Sequence, residues 1–330
     1  MTTGRTVIRI VRVVINLLVV MVLIAGLSFY AVMSFYALNR TNGTIVSAGD
    51  KREYLLYIPR SYDRAKPTPL VISLHGAALW PAAQRETSHW NNVADEHGFI
   101  VVYPAGMTPL GGGTGVLPKV WLLRPETDVT ENVRFISDLI DTLEAAYNID
   151  SSMIYADGYS NGGAMAFALS CRLSNRIAAI GTVSAAQDQQ PWSWCGDSRP
   201  VPLINFHGTA DLVPYNGGRV WGAPRPFPSV PEWTASWARR NRCAPSPPDS
   251  AVAADVIRTQ YTNCADDADV VLYTIQGGGH QWPGGRPLPK WILGHASNSI
   301  DATSLMWAFF RKHRLSPRSA LATSTPPPAP

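Results

Sequence analysis

The segment Gly158-Tyr159-Ser160-Asn161-Gly162, followed at once by Gly163, constrains this chain more than any other. Met153–Ala156 (MIYA) reads as a buried strand running straight into it, and Gly162–Ser174 reads as a helix running straight out. So sharp a strand–turn–helix pushes the serine hydroxyl above the sheet, and its tight backbone leaves no room for side chains at the flanking positions, hence glycine. The new helix points free N–H groups and the positive end of its dipole at developing negative charge. The plain alternative is a Gly-rich helix start with a capping serine.

The rest of the chain alternates the same two elements. Glu53–Ile58 reads as an early strand, and Pro69–Leu74 (PLVISL) and Phe99–Tyr103 (FIVVY) are short continuous apolar runs, as buried parallel strands require. Val129–Tyr147 carries apolar residues at 133, 136, 139, 140 and 143, a helical stripe. Ala178–Ser184, Val201–Phe206 and Val270–Ile275 are further strands, and Ser299–His313 is a closing helix. Strand–helix alternation predicts an α/β fold, a mostly parallel central sheet with helices on both faces. Catalytic side chains in such sheets sit at the C-terminal ends of strands.

A serine hydroxyl needs a base to take its proton. In α/β-hydrolases the partners follow in the order Ser, Asp, His. Here strand 201–206 is followed by His207-Gly208-Thr209-Ala210-Asp211, and strand 270–275 by Gly277-Gly278-Gly279-His280. Ser160 is thus the expected nucleophile, His280 the base, and Asp211 the group that fixes the tautomer of His280. Among the seven histidines, His295 is the credible rival base; His75 and His207 each precede a glycine directly at a strand end. Asp188 and Asp197 are rivals to Asp211, but neither directly follows a strand. Acyl transfer also needs donors for the tetrahedral oxyanion. The expected ones are the backbone N–H of Asn161 and, in Leu74-His75-Gly76-Ala77-Ala78, that of Ala77.

Val13–Leu38 is 26 residues without a charge, about 39 Å as a helix against a hydrocarbon core of roughly 30 Å. This predicts an uncleaved transmembrane anchor; a long cleaved signal is the alternative, although its best small-x-small site, Gly26-Leu27-Ser28, lies inside the run. Arg5, Arg9 and Arg12 precede it, so the positive-inside rule leaves a cytoplasmic basic stub at 1–12 and everything after Asn39 outside the cytoplasm. The expected organisation is the stub, an anchor over 13–38, a hydrolase domain over 41–315, and a Pro-rich disordered tail over 316–330. The net charge of +4 comes from the ends: without Arg5, Arg9, Arg12, Arg40 and Arg318, 23 basic residues face 24 acidic ones. A near-neutral domain has no footprint for nucleic acid.

The four cysteines, Cys171, Cys195, Cys243 and Cys264, allow three pairings. Pairing neighbours would close two short loops, each worth up to about 3 kcal/mol on the chain-entropy model. In an oxidising compartment two disulfides are expected, rather than four buried thiols. No Cys or His pair has metal-ligand spacing, and no cofactor is implied.

With these residues assembled, the chain resembles esterases of the polyhydroxybutyrate-depolymerase type, a group that includes feruloyl and acetylxylan esterases. The resemblance is carried by LVISLHG (70–76), GFIVVYPAG (98–106), ENVRFISDLIDTLEAAYNID (131–150), GYSNGGAMAFALSC (158–171), HGTADLVPY (207–215) and GGGHQWPGG (277–285). It implies an α/β-hydrolase fold, a carboxylic ester hydrolase, a triad on Ser160, Asp211 and His280, and a Cys243–Cys264 disulfide. The chain departs from the family in its membrane segment and in Met107–Asp128, which reads as a flexible loop near the site. Small or wall-attached esters are therefore expected rather than insoluble polymer.

Of eleven tryptophans, Trp80 and Trp282 are expected to line the cleft and hold a sugar or phenolic acyl group. Trp192 and Trp194 flank Cys195. Trp233, Trp237 and Trp307 are expected in the core. The expected partners are an ester substrate, polymeric or carbohydrate-linked, and the membrane. Two other functions use the same scaffold: an acyltransferase acting on envelope carbohydrate with the same triad, and a non-enzymatic envelope binding protein, which would not require an intact triad.

Overall fold

The structure is a computed structural model; it describes residues 2–38, 41–108, 112–115, 117–123, 128–185, 195, 198–219, 226–245 and 247–316. The chain divides into two units, Met1–Arg40 and Thr41–Pro330. The first is one helix, α1 (Thr2–Leu38). Within it Ile10–Ala31, 22 residues of mean hydropathy 2.7, is long and apolar enough to cross a membrane. A cleaved signal sequence has the same properties.

The second unit is built on one ten-stranded sheet. Its strands are β1 (Gly43–Ser47), β2 (Asp50–Tyr57), β3 (Thr68–Leu74), β4 (Ile100–Pro104), β5 (Ile149–Tyr159), β6 (Ala179–Val183), β7 (Leu203–Gly208), β8 (Asp249–Ala253), β9 (Val256–Tyr261) and β10 (Val270–Ile275). They lie in the order β1-β2-β4-β3-β5-β6-β7-β10-β9-β8. From β4 through β10 every neighbouring pair is parallel, and antiparallel strands extend both edges. The fold is that of an α/β-hydrolase.

Alternation along the strands feeds both faces with apolar side chains. On one face Leu70, Ile72 and Leu74 of β3 and Ile154 and Ala156 of β5 share a buried cluster with Ile136, Leu139, Ile140 and Leu143 of α4 (Asp128–Ala146) and Met165, Phe167 and Leu169 of α5 (Asn161–Arg172). On the other, Tyr155 stacks on Phe310 of α8 (Ala302–Phe310), and Trp307 stacks on Phe99 at 4.0 Å between centroids. Each such side chain contributes on the order of 1.5–3 kcal/mol by leaving water. Trp233 and Trp237, on α6 (Val230–Arg240), are buried, as is Trp307, in line with the expectation for all three. The remaining helices are α2 (Pro81–Ser88), α3 (Trp90–His97) and the single turn α7 (Lys290–Leu293). Two disulfides join Cys171 to Cys195 and Cys243 to Cys264.

Candidate active site

β5 ends at Tyr159 and α5 begins at Asn161, so Ser160 alone makes the turn. Its backbone sits at φ 53° and ψ −118°, a conformation costing on the order of 1–3 kcal/mol in a non-glycine residue. Two features hold it there. Ser160 N–H donates to the Val183 carbonyl of β6 at 2.8 Å, and its carbonyl accepts from Ala164 N–H at 3.1 Å. A Cβ on Gly162 would lie 2.2 Å from the Leu74 carbonyl oxygen and 2.5 Å from that of His75. The start of α5 therefore presses against the end of β3, and only glycine permits it. Asn161, at the first helical position, has a backbone N–H without an intrahelical acceptor.

Asp211 and His280 leave β7 and β10, which pair in parallel with Gly208 opposite Ile275. Their loops are stitched together: Thr209 N–H donates to the Ile275 carbonyl, Ala210 N–H to that of Gly278, and Gly277 N–H to Thr209 Oγ1. His280 Nδ1 lies 2.6 Å from Asp211 Oδ1, the oxygen that also accepts Val213 N–H at 2.7 Å. The Asp211 side chain is fully buried. Burial alone would raise its carboxyl, but the hydrogen bond and charge of His280, the charge of His207 and the Ser184 hydroxyl outweigh it, holding the group below the usual carboxylate range. The backbone of His280 is fixed as well. Its N–H donates to the Leu293 carbonyl, and its carbonyl accepts the Tyr159 hydroxyl at 2.7 Å, linking His280 to the residue before Ser160. Among the described residues no hydrogen bond joins Ser160 Oγ to His280; in unliganded sites such bonds are often long.

His295 is exposed, and its carbonyl supports the His280 loop by accepting Gly279 N–H at 2.8 Å. Asp188, Asp197, Trp192 and Trp194 lie outside the described residues, as does the tail from 317 onward. Ala77 is exposed in the turn after β3.

Two expectations are corrected. Trp80 and Trp282, expected on the cleft, are 4% and 1% exposed. Trp282 donates its indole N–H to Thr303 Oγ1 at 2.9 Å, so it is a core residue tied to α8. The segment 107–128, expected to be flexible, is held at several of its described residues: Met107 bridges Val120, Leu79 bridges Lys119, and Trp121 is 1% exposed.

Three residues of the site escaped the sequence reading. Trp121 pairs its backbone N–H and carbonyl with the Asn161 side chain and donates its indole N–H to the His75 carbonyl at 3.0 Å. His75 itself is a structural hub: burial lowers its pKa to about 4, so its neutral ring donates from Nδ1 to the Gly76 carbonyl and accepts Gly106 N–H at Nε2. His207, also buried and shifted down by desolvation, bonds the Val213 carbonyl through Nε2 at 2.9 Å and lies 3.7 Å from Asp211 Oδ2. The one sequence signal was that both histidines stand at strand ends before a glycine.

The sheet, the strained serine and the Asp–His pair at the strand ends define a protein of the α/β-hydrolase class. Residues 45–256 match the family described as putative esterase, and the chain belongs to that family. Over 165 residues it is 33% identical to a bifunctional acetylxylan esterase/xylanase of Neocallimastix patriciarum, covering 50% of this chain and 22% of that protein. Over 236 residues it is 30% identical to feruloyl esterase B of Piromyces equi, covering 69% of this chain and 42% of that one. The chain thus spans less than half the length of either relative. The structure of an acetyl xylan esterase from Aspergillus awamori superposes with a TM-score of 0.58 at 14% identity, over 81% of this chain and 98% of that one, a likeness of fold.

Proposed function

We propose that the chain is a serine carboxylic ester hydrolase working outside the cytoplasm through Ser160, His280 and Asp211. The observation that carries this reading is the 2.6 Å contact of His280 Nδ1 with the buried Asp211 carboxylate, on loops stitched beside the elbow. An ionised Asp211 accepts the Nδ1 proton, which leaves the lone pair on Nε2. Nε2 takes the Ser160 proton as Oγ attacks the acyl carbon. The tetrahedral oxyanion is received by the N–H groups of Asn161 and Ala77. Its collapse expels the alcohol, which takes the proton back from Nε2, and leaves an acyl-Ser160. Water, deprotonated by His280, then attacks and releases the acid.

The substrates are acetyl or feruloyl esters of carbohydrate, the chemistry named for the two fungal relatives. The helix α1 anchors the enzyme, with the stub 1–12 in the cytoplasm and the domain 41–315 outside. The two disulfides suit an oxidising compartment. The test is hydrolysis of short-chain p-nitrophenyl esters and methyl ferulate by the full chain in detergent, beside Ser160→Ala. Activity lost in the variant, together with fluorophosphonate labelling of the wild type only, supports the reading. A folded wild type that neither hydrolyses nor is labelled sinks it.

A further inference from the structure

Trp121 lies between β4 and α4, yet it is fastened to both sides of the elbow. Its backbone N–H donates to Asn161 Oδ1 at 2.7 Å, and its carbonyl accepts from Asn161 Nδ2 at 3.0 Å. Its indole Nε1–H donates to the His75 carbonyl at 3.0 Å, with the two rings 5.3 Å apart. Asn161 and His75 head the two loops that supply the proposed oxyanion donors, the N–H groups of Asn161 and Ala77. Those loops leave different strands, β5 and β3. The close approach of Gly162 to Leu74 and His75 makes them touch, but one contact does not set how far apart two N–H groups stand.

Trp121 is itself held from behind. Arg52 donates to Asn132 Oδ1 at 2.9 Å, and Asn132 Nδ2 donates to the carbonyl of Leu122 at 3.0 Å; Arg52 and Asn132 are both buried. On the near side, Val120 pairs with Met107, and Gly106 N–H is taken by His75 Nε2. Hydrogen bonds join Trp121 to His75 and to Asn161, and the close approach of Gly162 to the His75 carbonyl closes the ring, which is braced on α4.

The geometry points to Trp121 as a positioning residue whose three hydrogen bonds hold the Asn161 and Ala77 N–H groups at the separation a tetrahedral oxyanion needs. This rests on the reading of Ser160 as an ester-hydrolysing nucleophile. An oxyanion site acts because its donors are placed before charge develops, and misplacement by about 1 Å can cost on the order of 100-fold. Loosening the ring should therefore slow the chemical step and leave ground-state binding of the ester alone.

Trp121→Phe keeps an aromatic ring while removing the indole donor and part of the side-chain volume. In the full chain with p-nitrophenyl acetate, kcat is expected to fall about 10–100-fold with KM changed less than about twofold. The pH midpoint of kcat/KM stays in place, because the His280–Asp211 pair is untouched. Affinity for phenylboronic acid, which makes a tetrahedral adduct on the serine, falls in parallel with kcat. Asn161→Ala keeps the backbone N–H and removes the other two hydrogen bonds of the ring; the same pattern is expected, and it decides the matter if Trp121→Phe does not fold. Folded variants that keep kcat within about twofold overturn the positioning role, as does a kcat loss accompanied by a shifted pH midpoint or unchanged boronate affinity. In both cases the active wild type leaves the esterase reading standing. A folded wild type without hydrolysis or labelling overturns both.

Discussion

The Nδ1 of His280 and the Oδ1 of Asp211 are 2.6 Å apart, and the aspartate side chain that closes this pair has no exposed surface. Asp211→Asn keeps the shape and turns the acceptor into an amide, which favours the wrong imidazole tautomer. On the proposed mechanism kcat/KM falls about 10³–10⁴-fold, and fluorophosphonate labelling of Ser160 slows with it. There is a stability signature too. The folded carboxyl is held below its ordinary value, so its contribution is present above the unfolded pKa near 3.9 and is lost as pH falls through the folded one. Thermal melts below about pH 4 should show wild type losing more stability on acidification than the variant.

Gly162 offers a test of the elbow that does not touch a reacting group. A methyl there would sit 2.2 Å from the Leu74 carbonyl oxygen, and backbone cannot swing away as a side-chain tip could. Gly162→Ala is expected to cost about 1–3 kcal/mol as an overpacked site and to abolish hydrolysis, because the start of α5 must move away from β3. A variant with wild-type Tm and kcat would show that the contact does not constrain the turn.

The parts of the fold that were legible are those where one physical cause dominates. The buried parallel strands β3, β4, β6, β7 and β10 are near-continuous apolar runs, and the elbow is fixed by glycines that no other residue can replace. The edge strands β1 and β8 were not legible, because they alternate exposed and half-buried residues, as in Thr44-Ile45-Val46, and owe their pairing to neighbours. β5 is longer than its apolar stretch suggested, since it runs through Asp150 and Ser151 before MIYA and through Asp157 after it. In the site, Asp211 and His280 could be read because each follows a strand directly. Trp121 could not. Its role depends on hydrogen bonds to His75 and Asn161, 46 and 40 residues away, and nothing local in VWLLRPE marks it. The misplaced Trp80 and Trp282 have the same origin, since proximity in sequence to a candidate catalytic loop does not say which way an indole points.

Both disulfides stabilise by shortening loops of the unfolded chain, with sequence separations of 24 and 21. Reduction is expected to remove about 3 kcal/mol for each and to lower Tm by several degrees per bridge. Melts with and without dithiothreitol check this, alongside alkylation of the unreduced, unfolded chain followed by mass analysis. Mass added before reduction would mean that the thiols are free.

Asp157 makes the protein's stability fall as pH rises from about 4 toward 8. It sits three residues before Ser160, fully buried, accepting from Ser73 Oγ at 2.9 Å while Gln84 donates to the same hydroxyl. Burial raises its pKa to about 8, against the opposing hydrogen bond of Ser73. The folded state therefore holds this proton where the unfolded chain, with a pKa near 3.9, has released it. Stability from this group is complete below about pH 4 and declines as pH rises from there toward 8, by an amount on the order of a few kcal/mol. This runs opposite to Asp211, so the two groups together place the stability maximum in mildly acidic solution. Asp157→Asn cannot ionise. Its melting temperature should fall less than that of wild type between pH 5 and pH 9, and parallel curves for the two proteins would show that Asp157 does not titrate in this window.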